Sequence, residues 1–227
     1  MELAGLTAHI VDHSHSPDPT TVVLLHGFGA PGHDLVALAD AIDAPVRFVF
    51  PEAPLELGGM YGSARAWWLL DLERLENDLR RGVPSDRRNE MPDGLPPVRA
   101  QVTRLLDEVT SRLPTSRLVV GGFSQGAMVA LDVALHRETP PDGLLLMSGT
   151  LLAASEWEPR MAKLAGVPVM LSHGRGDSLL PFGVAEELRD KLLAAGAAVD
   201  WQPFAGGHEI PMTVLAAAAK LLGSGSR

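Results

Sequence analysis

Three residues able to act together in acyl transfer stand in this chain in a fixed order, each among glycines and each just past an apolar stretch. The first is Ser124, at the centre of Gly122-Phe123-Ser124-Gln125-Gly126. A serine hydroxyl is a poor nucleophile at neutral pH. It needs a base to take its proton and a third group to orient that base. Asp177 closes Ser172-His173-Gly174-Arg175-Gly176-Asp177, and His208 lies in Phe204-Ala205-Gly206-Gly207-His208-Glu209. An acid and an imidazole following a serine in that order are the parts such a relay requires.

Taken singly, each has a plainer explanation. Chance supplies the five-residue serine pattern about once in eight chains of this composition. An aspartate in a Gly-rich turn is usually a turn former, and a lone histidine before a helix is usually a surface or capping residue. Their placement makes the difference. Arg117 to Gly121 reads as a buried strand and Ala127 to Leu135 as a helix, so Ser124 sits at a sharp strand-to-helix turn, the context of a nucleophile elbow. Asp177 follows the apolar strand Val167 to Leu171. His208 falls between the last strand candidate and the last helix. Side chains at the carboxyl ends of strands meet on one rim of a sheet. Glu209 and Asp200 are the reserve acids, the first adjacent to the histidine and the second inside a strand candidate.

A reaction through a tetrahedral intermediate also needs two amide donors for the oxyanion. One is expected from the backbone N–H of Gln125, which follows the serine. The other is expected from Phe28 in His26-Gly27-Phe28-Gly29, the loop after an early strand.

The elements that must hold these groups alternate between β and α. Strands are expected at Thr20 to Leu25, Val46 to Phe50, Leu118 to Val120, Gly143 to Met147 and Val167 to Leu171, with Thr7 to Asp12 and Val199 to Phe204 nearer the edges. Helices are expected at Asp34 to Ile42, Val98 to Leu113, Gln125 to Leu135, Val184 to Ala195 and Met212 to Leu222. In the second of these, Val98, Val102, Leu105, Leu106, Val109 and Leu113 form one apolar face. The pattern predicts an α/β fold: a mostly parallel central sheet with helices on both faces, in one domain spanning residues 1–222. Residues 74–97 break the alternation with proline and charge, and read as a lid or a surface-loop insertion. Residues 223–227 read as a disordered tail.

Composition narrows the partners. The net charge of −9 argues against general binding of nucleic acid or anionic membrane. The absence of cysteine rules out disulfides, thiolate metal sites and a cysteine nucleophile. His13 and His15 have no carboxylate or histidine partners at metal-ligand spacing and read as surface residues, so no metal is expected. No signal peptide and no run of about 20 apolar residues is visible, which leads to an expectation of a cytoplasmic protein without stable membrane insertion.

Leu25-His26-Gly27-Phe28-Gly29, Gly122-Phe123-Ser124-Gln125-Gly126, His173-Gly174-Arg175-Gly176-Asp177 with Pro181, and Gly207-His208 together resemble the phospholipase/carboxylesterase family of small α/β-hydrolases. The likeness runs from about Thr20 to about Leu222. It implies an α/β-hydrolase fold and a cofactor-free hydrolase of carboxylic esters or thioesters. It further implies Ser124 as nucleophile, Asp177 as acid, His208 as base, and Phe28 and Gln125 as oxyanion donors. Arg65-Ala66-Trp67-Trp68 resembles the family's Arg-x-Trp region beside the active site. Ala30 and Ala127 depart from it, standing where many members carry an acidic residue and a glycine.

The substrate side is less defined. Trp67 and Trp68 would face opposite sides of a strand, one into the core and one onto a pocket. Leu179, Leu180 and Phe182 follow the acid and are candidates for the same wall. Arg80, Arg81, Arg87 and Arg88 could attract an anionic headgroup, but they alternate with acidic residues and read rather as a solvated, charge-balanced loop. The expected activity is hydrolysis of small-molecule carboxylic esters by a serine carboxylesterase, as a monomer or homodimer. The rivals are an acyl thioesterase or lysophospholipase on the same scaffold, and a non-catalytic binding protein of the same fold.

Overall fold

Along the central strands, alternate residues feed two separate apolar layers. Val23, Leu25, Val120, Leu144, Leu146 and Leu171 pack on one side, while Val22, Leu24, Val119, Leu145, Met147 and Met170 pack on the other. Period-two alternation with both faces apolar is what a sheet buried between helices demands. A computed structural model describes residues 1–58, 62–82 and 84–223.

The main sheet has eight strands: β1 (Glu2–Leu3), β2 (Leu6–Asp12), β3 (Thr20–Leu25), β4 (Arg47–Pro51), β7 (Arg117–Phe123), β8 (Gly143–Met147), β9 (Pro168–Gly174) and β10 (Ala198–Phe204). Their spatial order is β1-β2-β4-β3-β7-β8-β9-β10. From β4 onward every pairing is parallel, and β1 and β2 pair antiparallel at one edge. A short hairpin of β5 (Leu55–Glu56) and β6 (Arg65–Ala66) stands apart. One layer is covered by α3 (Leu95–Arg112), α4 (Gln125–His136), α5 (Ala154–Trp157) and α6 (Phe182–Ala194), the other by α1 (Leu38–Ala41) and α7 (Met212–Gly223). The expected mostly parallel sheet between two helical layers is the observed one.

The chain leaves β3 for β4 on one side and reaches β7 on the other. Strand order therefore reverses between β3 and β7, the position where open α/β sheets form a crevice at the carboxyl ends of their strands. His26 to Phe28 follow β3 and Ser124 follows β7, so both flank that crevice.

Several elements depart from expectation. The sequence pattern predicts one helix over Asp34 to Ile42, yet only Leu38–Ala41 is α-helical. The preceding turns close with i to i−3 bonds, such as Asp34 N–H to the Pro31 carbonyl and Val36 N–H to the His33 carbonyl. Helix α3 begins three residues before Val98, because Pro96 and Pro97 occupy its first turn, where a missing N–H costs nothing. The segment 74–97 is not one irregular loop. It starts inside α2 (Leu72–Arg81), which Asp71 caps through a 2.9 Å bond from the Arg74 amide and which an Arg80–Glu76 pair at 3.1 Å supports one turn apart. Helix α7 includes Gly223, and residues 224–227 of the expected tail lie outside the described residues. Among the described residues no helix is long and apolar enough to cross a membrane.

Candidate active site

Ser124 occupies a backbone conformation that a residue with a Cβ rarely adopts, φ 54° and ψ −116°. Such a conformation costs about 1–3 kcal/mol and persists only where its surroundings enforce it. Here the Ser124 amide donates to the Met147 carbonyl of β8 at 2.9 Å, while α4 starts at the next residue. The two glycines make the turn sterically possible. A Cβ on Gly126 would lie 2.0 Å from the Leu25 carbonyl oxygen, and one on Gly122 would lie 2.4 Å from the same atom and 2.6 Å from the Gly126 carbonyl carbon.

Asp177 is buried and its carboxylate is fully engaged. One oxygen accepts the amides of Leu179 at 2.8 Å and Leu180 at 3.0 Å; the other accepts His208 Nδ1–H at 2.7 Å and lies 3.3 Å from His173 Nε2. Burial acts to raise the Asp177 pKa. The His208 hydrogen bond and charge, with the two amides, outweigh burial and bring it below the ordinary aspartate value. A carboxylate can only accept, so His208 carries its proton on Nδ1 and leaves Nε2 free to take one. The imidazole packs on the Phe123 ring, centroids 4.8 Å apart. The reserve acids are engaged elsewhere: Glu209 accepts the Gly207 amide at 3.3 Å, and Asp200 accepts the Gln202 side chain at 2.7 Å.

The loop after β3 is held by a buried histidine. The Ala53 amide donates to His26 Nε2 at 3.0 Å, so the Nδ1–H of His26 donates to the Gly27 carbonyl at 2.8 Å. Burial lowers the His26 pKa and keeps this ring neutral. Trp67 ties the two halves of the rim together. Its indole N–H donates to the His26 carbonyl at 2.8 Å and its backbone N–H to the Gln125 side-chain oxygen at 2.9 Å. The Gln125 amide nitrogen in turn donates to the Trp68 carbonyl at 2.9 Å. Gly29 and Ala30 complete the anchoring through paired backbone bonds to Arg65, 2.9 Å each.

Ser124, His208, Phe28 and Gln125 all line one cavity of about 270 Å³. Of the residues expected on its wall, Trp68, Leu179 and Leu180 are there, and Trp67 and Phe182 are not. Trp67 is buried against the His26 ring. Phe182 turns away at the start of α6 and packs against His173, Trp201 and the Arg175 guanidinium. The rest of the wall includes Leu70, Pro92, Met128 and Leu152, together with Arg87 and Glu90. Arg87 departs from the reading of Arg80, Arg81, Arg87 and Arg88 as solvated: Arg80 and Arg81 are exposed, but Arg87 is only 9% exposed. Three backbone bonds of 2.9 Å draw this stretch onto the body: Ser85 N–H to Leu179, Ala153 N–H to Glu90 and Ala154 N–H to Arg88. Local sequence carries no signal for that docking, since the partners are about 60 to 95 residues away.

The family model described as Phospholipase/Carboxylesterase matches residues 6–224. The chain is similar to a protein named acyl-protein thioesterase 1 from Gibberella zeae, 28% identical over 217 residues and covering 90% of each chain. Among solved structures it is similar to esterase PE8, with 28% identity, a TM-score of 0.80, and coverage of 96% of this chain and 98% of that one. A carboxylesterase from Mesorhizobium loti, 18% identical with a TM-score of 0.74 over 98% of this chain and 96% of its own, shares the fold. With a buried two-sided parallel sheet, a strained serine at its switch point and a family match over nearly its whole length, this chain belongs to the phospholipase/carboxylesterase family of α/β-hydrolases and is a serine hydrolase.

Proposed function

We propose that this protein is a serine carboxylesterase that cleaves small carboxylic esters through an acyl-enzyme. The observation that carries the reading is the 2.7 Å bond from His208 Nδ1–H to an Asp177 carboxylate, on the rim of the cavity that Ser124 lines. That bond sets the tautomer a general base requires and opposes the charge the imidazole gains when it takes a proton.

In this mechanism Ser124 Oγ attacks the ester carbonyl carbon while His208 Nε2 accepts the hydroxyl proton. The carbonyl oxygen becomes an oxyanion held by the amides of Phe28 and Gln125, the latter at the N-terminus of α4, where helix amides lack internal partners. Collapse breaks the bond to the alkoxy oxygen, which leaves as alcohol with the proton from His208. Water then attacks the acyl-enzyme, giving its proton to His208, and the serine leaves with that proton to free the acid.

The cavity's modest volume and its apolar walls at Trp68, Leu152 and Met128 favour short acyl groups. A thioesterase reading has its own support, the similarity to acyl-protein thioesterase 1. Thioesters pass through the same intermediate, so leaving-group preference separates the two. Matched p-nitrophenyl esters and acyl thioesters of two to sixteen carbons decide between them: a maximum at short esters supports the esterase, and a maximum at long thioesters supports the alternative. Ser124→Ala is expected to abolish ester turnover and covalent labelling by a fluorophosphonate. Labelling that survives at full stoichiometry refutes the assignment.

A further inference from the structure

The cavity that holds Ser124 is also lined by two charged residues, Arg87 and Glu90, that the proposed ester cleavage does not use. Arg87 lies on its wall, among Trp68, Leu70, Pro92, Met128, Leu152 and Leu179. The side chain is 10% exposed, and Nη2 is buried with no hydrogen-bond acceptor. Among the described residues lining this cavity, it is the one side-chain nitrogen or oxygen in that condition. Its sibling Nη1 has a single contact, Glu90 Oε2, at the long distance of 3.4 Å. The other oxygen of Glu90 is committed to Arg74 at 2.5 Å, so one carboxylate is shared between two guanidinium groups.

An N–H group of an ionised guanidinium that is buried without an acceptor forfeits its hydration and gains nothing in return. Such groups are rare in folded proteins and call for an explanation. The docking of residues 85–90 onto Leu179, Ala153 and Ala154 holds Arg87 in this position. We propose that the missing acceptor is a carboxylate on the substrate, so that Arg87 selects esters carrying a second, anionic function. A carboxylate matches the planar N–H fork of arginine, and the apolar walls strengthen the pairing by keeping water away. Glu90 tunes this selection, since it competes for the same guanidinium. The proposal deepens the esterase reading and rests on it.

The test compares kcat/KM for mono-p-nitrophenyl adipate with that for methyl p-nitrophenyl adipate, in which the distal carboxylate is masked as its methyl ester. A second pair, 4-acetoxybenzoate and its methyl ester, places the charge on the leaving group and tells which half of the ester lies along Arg87. Taking each ratio on one preparation cancels the amount of folded protein. We expect the anionic-to-neutral ratio in at least one pair to fall about tenfold or more in Arg87→Met. It should rise in Glu90→Gln, which also serves should Arg87→Met fail to fold. Arg80→Gln removes an equal but exposed charge from the same segment and should leave both ratios unchanged. Equal ratios in wild type, Arg87→Met and Glu90→Gln overturn the proposal, as does an equal drop in Arg80→Gln. Loss of turnover on the neutral esters in wild type would instead count against the esterase reading. Arg87 is then judged by calorimetric titration of Ser124→Ala protein with monomethyl and dimethyl adipate. Tighter binding of the monoanion that disappears on adding Arg87→Met supports the proposal, and equal binding refutes it.

Discussion

Trp67 and Gln125 meet backbone to side chain: the Trp67 N–H donates to the Gln125 side-chain oxygen at 2.9 Å, although 58 residues separate them. The same amide side chain donates to the Trp68 carbonyl, also at 2.9 Å, and the Trp67 indole holds the His26 carbonyl. One glutamine thus clasps the turn after β6 to the start of α4, and the tryptophan extends the clasp to the loop carrying Phe28. The amides proposed to receive the oxyanion belong to the two pieces joined here.

Replacing Gln125 by Leu keeps the volume and leaves the Trp67 N–H and the Trp68 carbonyl buried without partners. The expected cost is about 2 kcal/mol of stability, read from urea unfolding. Because the Gln125 backbone amide remains, kcat should fall by about tenfold or more with KM little changed, as misplacement of an oxyanion donor predicts. An unchanged kcat would show that the clasp supports only the fold.

The strained φ of 54° at Ser124 predicts a trade of stability for reactivity. Ser124→Gly relieves the clash of Cβ with its own backbone and should raise stability by about 1 kcal/mol, after allowing for the extra freedom of glycine in the unfolded chain. Ester hydrolysis should vanish in the same variant. Calorimetric melting of wild type, Ser124→Gly and Ser124→Ala checks this, with the glycine variant expected to melt highest.

Burial holds the pKa values of His26 and His173 below their ordinary value of 6.5. For each, the unfolded chain binds a proton more readily than the folded one, so stability is fully present above pH 6.5. It declines as pH falls from there toward the folded-state pKa. Melting temperature should therefore drop between pH 7.5 and pH 5.5. In His26→Gln or His173→Gln the drop should be smaller, whatever the variant's absolute stability. An undiminished drop in both variants would assign the pH dependence to other groups.

Asp132 is fully buried in α4, where it takes two bonds from Arg99 at 2.6 and 2.9 Å and one from the Trp157 indole at 2.8 Å. Asp132→Ala leaves the Trp157 indole without its acceptor and Arg99 with only Glu156, at 3.2 Å, and should cost about 3 kcal/mol in denaturant unfolding. Activity per folded molecule should stay within about twofold, because none of these residues lines the cavity.

The local patterns that were legible are those enforced by the nearest few residues. Gly122 and Gly126 announced a turn that admits no Cβ, and β3, β7 and β8 showed themselves as apolar runs because both their faces are covered. The order of Ser124, Asp177 and His208 along the chain was equally plain, since each lies within four residues of the end of a strand. Helix α2 was obscured by the prolines and charges downstream of it, although Asp71 caps it and Glu76 pairs within it.

The wall of the cavity was a different matter. Trp67 and Trp68 are neighbours of the same type, and only the packing of the turn after β6 on His26 makes one a brace and the other a wall. Phe182 follows the acid only three residues beyond Leu179, yet the start of α6 turns its ring toward Trp201. Among four arginines in one charged segment, three backbone bonds to distant partners bury Arg87 alone beside Ser124. The fold and the order of the reacting groups could be read along the chain, because backbone sterics and burial periodicity act over a few residues. Tertiary structure decided which side chains face the substrate, because that depends on contacts between segments far apart in the chain.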